Sequence, residues 1–154
     1  MRLWDWAVAA YVRPGVEAAC LELQDIHGQN TCLLLWAAWA AVHGRPVDEA
    51  TAEEGSDVAR AWDVSAIQPL RTLRRNLKKP IPDMENEARE ALRAQVKAVE
   101  LAAERALLEE LEPIAPRPGP ASLPIDRALI TVARVWGRTT PRVALTSFAA
   151  MLSG

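Results

Sequence analysis

One tyrosine and one phenylalanine, with few β-branched side chains, leave this 154-residue chain poor in the residues that pack well on a pleated sheet. Its apolar half is carried mainly by Ala and Leu, which favour helices, so an all-α fold with little or no sheet is expected. Cysteine is scarce too. Cys20 and Cys32 are the only two, too few for a disulfide framework, and both fall within apolar helical patterns that suit a reduced compartment. A phosphate-cradling glycine loop, an H-E-x-x-H pair, a G-x-S-x-G elbow and a usefully spaced serine–histidine pair are all missing. No catalytic residue, metal or cofactor is therefore expected. The net charge of −2 is too small to name a partner. No apolar run is long enough to span a bilayer, and the N-terminal one holds Asp5 and ends at Arg13-Pro14 without a cleavage signal. No signal peptide and no stable membrane insertion are expected, and the cytoplasm is the expected location.

What the sequence does have is a stretch with apolar side chains on every face, Cys32 to Val42 within NTCLLLWAAWAAVH (residues 30–43). A helix apolar all round must be enclosed by others. About 14 residues rise roughly 21 Å, short of the ~30 Å hydrocarbon core of a membrane, so this is read as a buried central pillar over 31–43. Six tryptophans, Trp4, Trp6, Trp36, Trp39, Trp62 and Trp136, supply the bulk that an Ala-rich core otherwise lacks.

The remaining helices follow from periodicity and punctuation. Leu3, Trp4, Ala7, Val8 and Tyr11 share one face of a first helix, which Arg13-Pro14-Gly15 ends; Val16, Ala19, Cys20, Leu23 and Ile26 form the stripe of a second, which Gly28 ends. Asn30 or Thr31 caps the pillar, and His43-Gly44-Arg45-Pro46 closes it. Asp48 can cap a helix through Glu54, and Gly55-Ser56-Asp57 offers a break or a second cap before a helix from Val58 to Lys79 that Pro69 should kink or interrupt. A long helix over 83–111 should run along the outside, with Ala88, Leu92, Val96, Val99 and Ala103 facing inward and the Glu85–Arg89 and Arg105–Glu109 pairs on its wet side. Four prolines between Pro113 and Pro120 predict an extended connector, followed by helices over 125–136 and 140–152. The expected architecture is a single domain of six to seven helices, with a main bundle (1–112), a proline-rich connector (113–122) and a C-terminal helical pair (123–154).

Charge is segregated. Residues 48–69 hold six acids and one base, 70–80 five bases and no acid, and 81–112 nine acids and four bases. Blocks of this kind can neutralise one another within the fold or across a dimer.

Three clusters are candidate sites. Cys20, Asp25, His27 and Cys32 have the residue types of a zinc site but not the spacing, and two buried thiols beside a polar turn is the preferred account. Gln24, Asp25, His27 and Asn30 gather polar groups at the N-terminus of the pillar, where an acid beside an imidazole could move protons and free N–H groups could hold an anion. Each of those residues also has a capping task within reach. Arg71, Arg74, Arg75 and Lys78 could bind an anion, but helix-terminal placement and two flanking acidic segments favour internal pairing. The acidic balance and the lack of aromatics among these bases argue against nucleic acid.

The run LWDWAVAAYVRPGVEAACLELQDIHGQN (3–30), followed by LLLWAAWAA, resembles a family of short uncharacterised proteobacterial proteins of unknown function. Trp4, Trp6, Tyr11, Pro14-Gly15-Val16, Leu21, Leu23-Gln24-Asp25 and Gly28 carry the likeness, and PLRTLRRNLKK (69–79) is similar in a weaker way. The resemblance implies a bacterial, cytosolic, helical protein and brings no activity, cofactor or catalytic residue with it. The resulting expectation is a non-catalytic interaction or assembly protein with a protein partner or as a homodimer, using the basic face around Arg75 and the acidic face from Glu87 to Glu104. The rival is a small ligand-binding protein or enzyme centred on Gln24, Asp25, His27 and Asn30.

Overall fold

Helices in the computed structural model, which describes residues 1–154, begin where the chain offers a cap, a proline or a break. Their order is α1 (Leu3–Tyr11), α2 (Val16–Asp25), α3 (Thr31–Val42), α4 (Glu49–Trp62), α5 (Gln68–Asn76), α6 (Asn86–Leu111), α7 (Ile125–Trp136) and α8 (Arg142–Leu152). A π-helical turn, Asp63–Ile67, joins α4 to α5 without a break, so eight helices make seven rods and no strand forms.

The pillar is α3. The Asn30 side chain accepts the Leu33 N–H at 3.0 Å, and every residue from Cys32 to Ala40 is buried. Gly28, at φ +64°, turns the chain from α2 into this cap. Around the pillar stand α1, α4, α6 and α7, while α8 lies over α2 and α7. Trp6, Trp36 and Trp39 are buried; Trp4, Trp62 and Trp136 are half-buried. Three of these six indoles also find hydrogen-bond acceptors, Trp39 at the Met1 carbonyl, Trp62 at Glu110 and Trp136 at the Gly28 carbonyl, each within 3.1 Å.

Gly55 does not break the helix, contrary to the sequence expectation. Helix α4 runs through it because Gly55 is a packing position: a Cβ there would stand 2.6 and 2.7 Å from two ring carbons of Trp36. The missing side chain lets α4 close over the pillar. Pro69 interrupts nothing either, since it lies in the first turn of α5. The π turn just before it, whose wider hydrogen bond runs from the Gln68 N–H to the Asp63 carbonyl, makes room for a residue that cannot donate and whose ring would crowd the preceding turn.

Helix α6 departs from its expected path. Asp83 takes a left-handed conformation, φ +65°, so the helix opens at Asn86, and its C-terminal half enters the core through Ala103, Leu107, Leu108 and Leu111. Leu92 and Val99 point to solvent, and the inner stripe carries Glu100 and Arg89 instead. Arg105 and Glu109 pair at 2.9 Å as expected, but Arg89 turns inward, where its Nη1 donates to the Leu77 carbonyl at the end of α5 at 2.7 Å. Charge facing charge across α5 and α6 shifts the buried line away from the purely apolar one.

The connector begins with a 3-10 turn, Glu112–Ile114, which tolerates Pro113 because its first residues need no N–H donor, and then runs extended. Arg45 pins it by donating to the carbonyls of Glu112, Ala115 and Pro116. Ala128, Leu129, Val132 and Ala133 of α7 are fully buried and belong to the same apolar core as the pillar. Helix α8 docks through Leu145, Phe148, Ala149 and Leu152, while its Val143 faces solvent.

Gly55→Ala should cost about 1–3 kcal/mol in urea unfolding, since the pillar indole must shift to admit a methyl group. A cost below a few tenths would show that the α3–α4 contact is slack. A chain ending at residue 122 loses the cover that α7 gives α3 and should show no cooperative thermal transition by circular dichroism; a sharp melt at the full-length midpoint would contradict this packing account.

Candidate functional site

Helices α5 and α6 run antiparallel and meet through charge. Arg74 Nε lies 2.7 Å from Glu100 Oε1, and Arg71 Nη2 lies 3.6 Å from Glu104 Oε1. Arg75, on the next face, reaches back to Asp25 of α2 at 2.7 Å. The basic and acidic blocks of the sequence thus neutralise one another within one chain. Lys78 is exposed.

The four polar residues at the α2–α3 turn separate in space. Asn30 caps α3, and Asp25 is held by Arg75 and by Gln24 Nε2 at 3.1 Å. His27 faces a shallow groove between α2 and α8, with Glu22 at 3.7 Å from its Nε2. No acid–imidazole couple forms between Asp25 and His27. Gln24 and Asn30 do come together, on the wall of a polar cavity of about 70 Å³. Thr31 and Cys32 at the head of α3, Asp63 of the π turn, Gln29, Gln68, Arg71 and Glu104 complete the polar side of that wall.

This cavity adjoins a larger one. An apolar groove of about 500 Å³ runs between α1, α2, α3 and α6, and 11 of its 14 lining residues are hydrophobic. Trp4, Val8, Tyr11, Leu21, Leu35 and Leu101 shape it, and Gln24, Thr31, Cys32 and Glu104 line both spaces. Both cysteines are here as well. Burial pushes the Cys20 thiol up to about 12 and raises Cys32 further, so both favour the protonated thiol. No group of three or more His, Cys, Asp or Glu side chains is arranged to hold a metal ion.

Glu104 stands at the junction of the two spaces. Burial raises its pKa above the ordinary 4.5, Glu100 adds to the rise, and Arg71 and Arg74 oppose it. Arg71 is the more unusual group, because only 7 % of it is exposed and its Nε has no hydrogen-bond partner. In the sequence Arg71 is one base among four, Thr31 a possible cap and Glu104 the end of an acidic face, and nothing local joins the three into one site. The spacing of Glu100 and Glu104 among Val96, Ala103 and Leu107 was the available signal, two acids set into an otherwise apolar stripe.

A raised carboxyl pKa means that Glu104 favours the folded state while protonated, below its unfolded value, and that this contribution is lost as pH rises through the folded one. The unfolding free energy of Glu104→Gln relative to the parent should therefore increase as pH rises from about 4 to 8. The opposite trend would show that pairing with Arg71 outweighs burial.

No curated protein and no solved structure matches this chain. No helix is long and apolar enough to cross a membrane. Over residues 2–111, which hold the pillar, α5, all of α6 and every residue of the groove, the sequence matches the model of a family described as protein of unknown function (DUF2390), and the chain belongs to that family.

Proposed function

We propose that this protein is a non-catalytic binding protein for a small, largely apolar molecule held between α1, α2, α3 and α6. The carrying observation is the groove itself. Its volume falls within the range of small-molecule sites, its walls are mostly hydrophobic, and its few polar groups converge at one end, where Glu104 is perturbed by burial. Gln24 and Asn30 belong to this site through the adjoining polar cavity; Asp25 and His27 serve the fold.

Assembly through the Arg75 face and the Glu87–Glu104 face has less support, because Asp25 and Glu100 already engage Arg75 and Arg74 at 2.7 Å inside the chain. Catalysis has less support still, since the buried thiols are held protonated and no acid–imidazole couple faces the groove. Two unpaired thiols favour a reducing compartment such as a bacterial cytoplasm.

The test uses the neutral dye N-phenyl-1-naphthylamine, whose emission rises in apolar sites. Saturable one-site binding is expected. Val8→Trp, placed at the half-exposed rim of the groove where the fold tolerates it, should weaken the dye at least tenfold. Absence of binding, or equal binding by Val8→Trp, would overturn the reading. So would a dimer in sedimentation velocity that excludes the dye, which would favour self-association through the same rim.

A further inference from the structure

We infer that the polar cavity beside the groove is the head-group site for a monocarboxylic acid, with the carboxylate on Arg71 and the apolar tail in the groove. The inference rests on the groove being a ligand site and adds the chemical class of its ligand.

Arg71 carries the argument. A guanidinium has five N–H donors, no acceptor and a charge that it does not lose at ordinary pH. Here it is 7 % exposed, its Nε has no partner, and the nearest carboxylate oxygen, on Glu104, is 3.6 Å from Nη2. That distance exceeds the ~2.7–2.9 Å of a charge-assisted hydrogen bond. Its neighbours on the same helix show what a completed pair looks like, with Arg74 and Arg75 both 2.7 Å from their acids. A buried cation whose N–H donors lack close acceptors is costly, and an incoming oxygen acceptor removes the cost.

A second feature points to the same ligand charge. Asn30, Thr31 and Cys32, the cap and first turn of α3, line this cavity, and that turn contains no acid. First-turn N–H groups have no intrahelical acceptor; Asn30 answers the one on Leu33, and those of Thr31 and Cys32 are left at the positive end of a 12-residue helix. Of the two acids at the cavity, Asp63 already accepts from Gln68 Nε2 at 3.3 Å, and burial favours the protonated form of Glu104. The cavity, about 70 Å³, has room for a carboxylate and little more, while the groove that shares four of its lining residues takes the tail.

Isothermal titration with decanoate, decanol and decylamine tests this on the full-length protein. Decanoate should bind at least tenfold tighter than either of the others. In Arg71→Met that preference should vanish while decanol affinity changes less than threefold. Equal binding of decanoate and decanol would overturn the head-group assignment and leave the groove standing. Tighter binding of decylamine would overturn it in favour of Glu104 and Asp63 as the recognising groups. No binding of any of the three would remove the groove reading itself. If Arg71→Met does not fold, the head-group comparison on the unmodified protein decides alone.

Discussion

The Trp36 indole seated on the bare backbone of Gly55 is the contact on which the rest of this structure depends. A helix with apolar residues on every side is stable in water only when covered on every side, and α3 is covered on the α4 side by a helix that can approach because it has no side chain at that point. With α4 seated there, α7 closes the remaining flank through Leu129 and Val132, and α6 brings Leu107 and Leu111 to the same core. The C-terminal helices are therefore part of the enclosure of the pillar.

The same geometry sets up the site. The continuous rod from α4 to α5 carries Arg71, Arg74 and Arg75 past the head of the pillar, and α6 presents its acids to them. Two of the three arginines are satisfied closely and one is not. Arg71 is the one that lines the polar cavity at the head of α3, next to the groove that small and medium side chains such as Ala7, Cys20 and Cys32 leave open. An incompletely satisfied cation next to an apolar space is the arrangement that a ligand with an anionic head and an apolar body completes.

Much of the fold was legible in the sequence because its punctuation is local. Asn30, Asp48 and Gly28 act where their chemistry placed them, and the all-round apolar run of α3 required burial whatever surrounded it. The misreadings share one cause, which is that tertiary contact reassigned a residue with a local meaning. Gly55 looks like a breaker until Trp36 lies against it. Arg89 looks like half of a surface pair until the end of α5 offers it a carbonyl, and the apolar row of α6 looks inward-facing until the arginines of α5 draw Glu100 and Glu104 to that side. The site was half legible for the same reason. Gln24 and Asn30 stood out as polar groups at a helix start, but Arg71 and Glu104, 33 positions apart, become one feature only when α5 and α6 pack.

The most direct measurement of the central claim is a crystal structure of the protein with a ten-carbon carboxylic acid brominated at its far end, located by anomalous scattering. The account predicts a single bromine peak among Trp4, Leu35 and Leu108, with the carboxylate within hydrogen-bonding distance of Arg71. Bromine at the outer surface, or a carboxylate facing solvent with Arg71 unchanged beside Glu104, would contradict it.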